Sequence, residues 1–236
     1  MTAGFSGFPP DALKFLKALK RHNDRAWFQP RKEQFDRFLR EPMLVLIGEI
    51  NQQMMRFAPD YVTDPPKAIF RIYRDTRFSH DKTPYKTHVA AVFSHRSLPR
   101  NLGAGFYFQV STEKVGIGGG IYRPGPDILK KLRGGFAEDP SLLQKEIRSI
   151  AAKKKAGRFE GDQTARIPKG FDPAHPAADL LKYRSLFFYD ELKPETMLEA
   201  GLKKEIVTRF RQIANFVHLI DRPLAGQRKF TVSDAF

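Results

Sequence analysis

The segment G-F-Y-F-Q-V-S-T-E-K-V-G-I-G-G-G-I-Y, residues 105–122, decides the class of fold. Residues 105–110 are rich in aromatic and other β-forming side chains and predict a strand. Ser111-Thr112-Glu113 predicts a turn, and residues 114–122 predict a second strand interrupted by glycines. Strands joined by so short a turn can pair antiparallel. We therefore expect antiparallel β-structure in the middle of the chain.

Further elements are predicted on both sides of this segment. Two more strands are expected at 68–73 and 89–94, where β-forming residues follow one another. Apolar residues at helical spacing predict three helices in the first 60 residues, the second capped near Asn23-Asp24 and the third beginning at Pro42. Later helices are predicted after Pro124, at 142–150, at 177–187 and at 194–220, with a long loop over 156–176.

Helices, then strands, then helices are typical of an α+β fold. We predict an antiparallel sheet of about four or more strands, with helices packed on it and helical segments at both ends of the chain. Residues 1–220 are expected to form one α+β domain. Residues 221–236 have no periodicity and are expected to form a partly disordered C-terminal tail.

Composition excludes several classes of protein. The chain has no cysteine, so disulfides and thiol catalysis are excluded. No apolar run approaches the ~20 residues that a membrane-spanning helix needs, and the start does not resemble a signal peptide. We expect a cytoplasmic protein without membrane contact. Its net charge of +15 favours anionic partners, although a basic surface also serves solubility alone.

The densest group of functional side chains is R-I-Y-R-D-T-R-F-S-H-D-K-T-P-Y-K-T-H, residues 71–88, which we call the charged segment. If 69–77 is extended, its odd-numbered positions share one face and Phe70 and Ile72 face the core. Arginine donors suit carboxylate or phosphate ligands. The alternative is that Asp75 and Asp81 pair with the neighbouring cations and only hold a loop.

A second candidate lies just after the glycines, where Arg123 precedes a predicted helix start and therefore an anion-favouring end. The alternative there is a glycine bulge in a strand beneath a helix. The glycine spacing matches neither a Walker loop nor G-x-G-x-x-G. The His and Asp spacings match no standard metal site, so no metal and no cofactor are predicted. We expect Arg123 to face the charged segment across the sheet.

The charged segment resembles a family of bacterial and fungal proteins that is classified as a domain of unknown function. The resemblance rests on Arg-Asp-x-Arg-Phe-Ser-x-Asp-Lys-x-Pro-Tyr-Lys at 74–86. Asn23 to Phe28, Gly118 to Pro124, Pro168 to Phe171 and His175-Pro176 support it. It covers the chain from about Phe5 to His218. It implies one compact unit and brings no activity, substrate or cofactor.

These patterns predict binding of a small phosphate- or carboxylate-bearing ligand, and they leave open whether the ligand is also turned over. The expected ligand-binding residues are Arg71, Tyr73, Arg74, Asp75, Arg77, Asp81, Lys82, Tyr85, Lys86 and Arg123, with Tyr85 and His88 as candidates for proton transfer. One alternative is a basic protein that associates with nucleic acid. The other is a structural or interaction module whose charged segment is internally paired. The oligomeric state is not predicted.

Overall fold

The computed structural model describes residues 4–77, 79–99, 102–153 and 155–225. Within these ranges the α-helices are α1 (Pro10–Arg21), α2 (Arg25–Phe28), α3 (Lys32–Phe35), α4 (Glu41–Met54), α5 (Pro65–Ala68), α6 (Pro126–Glu138), α7 (Pro140–Ala151), α8 (Ala178–Leu181) and α9 (Leu202–Ala225). The strands are β1 (His88–Ser94), β2 (Gly105–Ser111), β3 (Val115–Ile121), β4 (Arg158–Glu160) and β5 (Leu186–Leu192). Short 3-10 turns lie at Gln29–Arg31, Pro59–Tyr61 and Pro194–Leu198, and a π-helical turn lies at Asp36–Arg40.

The five strands form one antiparallel sheet in the order β1-β2-β3-β5-β4. Helices precede and follow it in the chain, so the predicted α+β class and the helices at both termini are confirmed. The segment at 105–122 forms the β2-β3 hairpin, with Val110 opposite Val115. The N-cap predicted at Asn23-Asp24 is also present, because the Asp24 carboxylate accepts a hydrogen bond from the Trp27 N–H at 2.8 Å.

The central strand β3 is packed closely on both of its faces because it has glycine at four of seven positions. On the inner face, a Cβ at Gly119 would lie 2.8 Å from the Ile213 side chain of α9. On the outer face, a Cβ at Gly116 would lie 1.9 Å from the Tyr189 hydroxyl of β5. A side chain at Gly119 would contact α9, and a side chain at Gly116 would contact the Tyr189 ring. The lack of a side chain at Gly119 therefore lets α9 lie close to the sheet.

Three predicted boundaries are wrong. The strand predicted at 68–73 is instead the end of α5 followed by an extended segment that makes isolated bridges, Ile69 to Ala91 and Tyr73 to Tyr85. The helix predicted at 177–187 ends at Leu181, and β5 begins at Leu186, because its aromatic side chains find partners on both neighbouring strands. The predicted loop at 156–176 contains the short strand β4.

The last helix also differs from the prediction at both ends. Pro194–Leu198 is a 3-10 turn, and α9 begins only at Leu202. It continues to Ala225, so the first five residues of the predicted tail are helical. Residues 226–236 lie outside the described part of the chain. Buried apolar side chains from Phe8 to Ile220 form one hydrophobic cluster, to which both the helices and the strands contribute.

A buried carboxyl group joins α9 to the sheet. Asp221 is 2% exposed, and its two oxygens accept hydrogen bonds from the Ala104 N–H at 2.6 Å and from the Tyr61 hydroxyl at 2.8 Å. Burial raises the pKa of Asp221 to about 7, against the lowering effect of the two hydrogen bonds. The rings of His95 and His218 pack edge-on against Tyr61, and burial lowers the pKa of each imidazole.

We predict that Asp221→Asn removes a pH dependence of stability. Because the pKa of Asp221 is higher in the folded protein, its favourable contribution is complete below about pH 4 and is lost as pH rises through about 7. The loss is at most about 4 kcal/mol, from about 1.4 kcal/mol per pKa unit. Asn imitates the protonated acid, so the variant should match the wild type near pH 4 and exceed its stability at pH 8.

Denaturant unfolding between pH 4 and pH 8 measures this difference. Asp60, which pairs with Arg96 at 2.7 Å, and the two histidines are present in both proteins, so their contributions largely cancel in the comparison. Parallel stability curves for the two proteins would contradict the assignment.

Candidate functional site

The charged segment forms an irregular hairpin that extends the sheet beyond the start of β1. The Arg74 N–H bonds the Pro84 carbonyl at 2.9 Å, and the Lys86 N–H bonds the Ile72 carbonyl at 2.8 Å. Positions 71, 73, 75 and 77 are exposed and Ile72 is buried, as predicted for an extended chain, whereas Phe70 is only partly buried. The alternation is thus present although the segment is not a regular strand. Phe78 lies outside the described residues.

Ion pairs hold the tip of this hairpin. Arg77 binds Asp75 through two nitrogens, at 3.0 Å from Nε and 2.8 Å from Nη2. Arg74 pairs with Asp81, whose other oxygen accepts the Thr83 N–H at 2.9 Å. These hydrogen bonds, from Arg77 and Arg74 respectively, lower the pKa of each aspartate to about 2. The carboxylates stay ionised at neutral pH and occupy guanidinium groups that a ligand would need.

Two lysines of the hairpin also bond the backbone. The Lys82 ammonium donates to the Thr76 carbonyl at 2.9 Å, and the Lys86 ammonium donates to the Arg71 carbonyl at 2.8 Å. The side chain of Tyr73 is 48% exposed. The ammonium groups of Lys82 and Lys86 thus stabilise the irregular backbone of the hairpin.

The two candidates for proton transfer are both withdrawn from solvent. Tyr85 is 1% exposed and stacks on Phe28 at a centroid distance of 4.1 Å, so it does not lie on the exposed face of the hairpin. The ring lies beneath α2, which covers this side of the hairpin. Burial raises the pKa of Tyr85. His88 is partly buried at the start of β1, and burial lowers its pKa.

Asn23 fixes the hairpin to the N-terminal helices. Its side-chain amide donates to the Tyr85 carbonyl at 2.9 Å, and its oxygen accepts the Tyr85 N–H at 3.0 Å. The N–H and the carbonyl of Tyr85 are partly buried, so water does not fully replace these two hydrogen bonds when the Asn23 amide is removed.

We predict that Asn23→Ala costs about 1–3 kcal/mol of unfolding free energy. The exposed control Arg21→Ala should cost less than about 0.5 kcal/mol. Equal effects in denaturant unfolding would show that the amide clamp is unimportant.

Arg123 lies at the other end of the sheet from the charged segment. His88 is opposite Ser111, and Val110 is opposite Val115, so the hairpin is near the start of β3. Arg123 follows the end of this seven-residue strand, which is roughly 20 Å long at about 3.3 Å per residue. The prediction that Arg123 faces the charged segment is therefore wrong.

Arg123 instead lines a cavity of about 670 Å³. The cavity lies where β3, β4 and β5 end near the N-terminus of α6, and the loop at 168–171 forms part of its wall. Five of its side chains are cationic, Arg123, Lys130, Arg133, Lys169 and Arg184, and one, Asp162, is acidic. Pro124, Leu129 and Phe171 supply apolar surface. The wall is thus strongly basic and partly apolar.

The backbone of Arg123 has an unusual conformation. Its φ is 45°, the only positive φ among the non-glycine residues that the structure describes. Its N–H donates to the hydroxyl of the fully buried Ser185 at 3.0 Å, which holds the turn. Its Nε lies 3.5 Å from the Asp162 carboxylate. Left-handed backbone at a non-glycine residue costs free energy and is concentrated at functional sites.

Arg133 lines the cavity and also carries a buried donor. It lies on α6, one turn after Leu129, and its Nη2 is 3.4 Å from the Tyr183 carbonyl. Its Nε is buried without a hydrogen-bond partner among the described residues, a state shared only with the Gln212 oxygen. Burial, and then the charge of Arg184, lower the pKa of Arg133. A buried guanidinium N–H without a partner requires an explanation.

Sequence patterns identified one member of this cluster, Arg123. Asp162 and Arg184 are neighbours because the pairing of β4 with β5 continues beyond the ends of the two strands. The Arg184 N–H donates to the Asp162 carbonyl at 2.6 Å. That pairing was hidden because a helix was predicted over 177–187. The available signal was the Pro168-Lys169-Gly170-Phe171 segment, which carried part of the family resemblance and lines the same cavity as Arg123.

The fold and site define an α+β protein with a basic cavity at one end of an antiparallel sheet. The model of the family described as conserved hypothetical protein (DUF2461) matches residues 11–219. The chain belongs to this family. No curated protein and no solved structure matches it.

Two features, a membrane-spanning helix and a metal-binding cluster, are absent from the part of the chain that the structure describes. No helix there combines the length and apolar character needed to cross a bilayer. No group of three or more His, Cys, Asp or Glu side chains in the same part of the chain is arranged to hold a metal ion.

Proposed function

We propose that the protein binds a small phosphate- or carboxylate-bearing ligand in the cavity between Arg123 and Arg133. The observation that carries the proposal is the excess of cations in the cavity wall, five cationic side chains against one carboxylate. Phosphate or carboxylate oxygens of a ligand would balance this charge. Charge-assisted hydrogen bonds to such oxygens are the strong ones in proteins.

The charge balance supports an anion. Five cationic side chains line the cavity against one carboxylate, and the N-terminus of the 13-residue helix α6 adds its positive dipole end. The pairing of Arg123 with Asp162 is loose at 3.5 Å, and both side chains are substantially exposed. A single long contact of this kind is weaker than the two-nitrogen contact of Arg77 with Asp75, so an incoming anion can replace the Asp162 carboxylate.

The cavity is a better candidate than the charged segment. In the hairpin, Arg74 and Arg77 are engaged by Asp81 and Asp75 within the same loop. In the cavity five cations accompany one acid, against five cations and two acids in the charged segment, and the Arg123–Asp162 pair is long at 3.5 Å. The ligand-binding proposal therefore keeps Arg123 and adds Lys130, Arg133, Lys169 and Arg184 in place of the hairpin residues.

Titration calorimetry with inorganic phosphate and pyrophosphate at fixed ionic strength tests the proposal. We predict that Arg133→Gln weakens binding by about ten-fold or more, because a hydrogen bond to a charged group is worth about 1.5–3 kcal/mol. Asp162→Asn should act in the opposite direction and strengthen binding by a few-fold, since one nearby charge in water contributes about 1 kcal/mol. Arg71→Gln in the charged segment is the matched control and should leave the affinity unchanged.

Two results would overturn this assignment. One is the absence of binding by the wild-type protein to either anion at low salt. The other is loss of binding in Arg71→Gln with retention in Arg133→Gln, which would return the site to the charged segment. Circular dichroism and thermal unfolding of each variant separate loss of the site from loss of the fold.

A further inference from the structure

An exposed aromatic ring stands beside the basic cavity. Tyr122 is 64% exposed, the highest value among the large apolar and aromatic side chains that the structure describes. A single exposed apolar residue needs no explanation by itself. This ring, however, adjoins Arg123 in the chain, and the Arg123 guanidinium carbon is 5.2 Å from the ring centroid.

The ring is held in position by its neighbours. Phe187 of β5 packs against it at a centroid distance of 5.9 Å and an interplanar angle of 67°, an edge-to-face contact. The left-handed turn at Arg123, bonded to the buried Ser185, fixes the backbone at the residue that follows Tyr122. Tyr122 therefore presents a supported ring to solvent next to Arg123, which lines the cavity.

The size and lining of the cavity fit a ligand larger than an inorganic ion. A volume of about 670 Å³ lies in the range of about 300–1,000 Å³ that is usual for sites of organic ligands. Part of its wall is apolar, with Phe171 and Leu129 beside the cations. A molecule that carries phosphate at one end and a flat ring at the other matches both the cation cluster and Tyr122.

We infer that the ligand is a nucleoside phosphate, with the phosphate among Arg123, Arg133 and Arg184 and the base stacked on Tyr122. This inference rests on the proposed anion-binding function and adds the class of ligand. Stacking on an aromatic side chain is tolerant of base identity, and cationic grooves with such rings are a usual means of binding single-stranded nucleic acid. The same chemistry fits a free mononucleotide and the 5′-phosphorylated end of a single strand.

Titration calorimetry of the full chain with inorganic phosphate, ribose 5-phosphate and AMP tests the inference. AMP should bind about ten-fold more tightly than ribose 5-phosphate, within the range measured for base stacking on aromatic residues. Tyr122→Leu should abolish that advantage, and Tyr122→Phe should retain it. Tyr122→Leu should weaken the binding of inorganic phosphate much less than that of AMP. Tyr73→Leu, at the other exposed tyrosine, is the matched control and should behave as wild type.

A 5′-phosphorylated tetranucleotide distinguishes the two sources of the ligand. Tighter binding of the strand than of AMP, lost in Tyr122→Leu, would identify the end of a strand as the ligand. Equal or weaker binding would identify the free nucleotide. Equal affinities of wild type for AMP and ribose 5-phosphate would overturn the inference and leave the anion site intact. Failure of phosphate, ribose 5-phosphate and AMP alike would overturn the proposed function as well.

Discussion

Close packing on both faces of β3 is the constraint on which the structure depends. Gly119 admits the Ile213 side chain of α9 on one face, and Gly116 admits the Tyr189 ring on the other. Side chains at these positions would push the helix or the ring away from the sheet. With α9 against β3, Asp221 reaches Tyr61 and Ala104, so that the last helix, the chain before β1 and the start of β2 are joined at one buried carboxyl group.

The same strand separates the two groups of charged residues. The charged segment continues β1 beyond one end of the sheet and uses Asp75 and Asp81 to close its own loop. Arg123 leaves β3 at the other end, through the left-handed turn bonded to Ser185. The cations at this end come from residues 123–133, from Lys169 and from Arg184, and one acid, Asp162, lies among them. We therefore regard the hairpin as a structural device and propose the cavity as the binding site.

Local patterns predicted the features that depend on neighbouring residues. The β2-β3 hairpin, the cap at Asp24 and the alternation about Ile72 follow from side-chain period and turn chemistry. Long-range pairing was not predictable in this way. The predicted helix at 177–187 includes the first two residues of β5, and only partners on β3 and β4 make Leu186–Leu192 a strand. Since β5 brings Arg184 to Asp162, missing it concealed most of the cavity.

A crystal structure with bound tungstate, an anomalously scattering mimic of phosphate, tests the central claim most directly. We expect an anomalous peak inside the cavity, with a tungstate oxygen within hydrogen-bond distance of the Arg133 guanidinium and the Arg123 guanidinium turned from Asp162 toward the anion. A peak only at the arginines of the charged segment, or a cavity without tungstate at concentrations that saturate other sites, would contradict it.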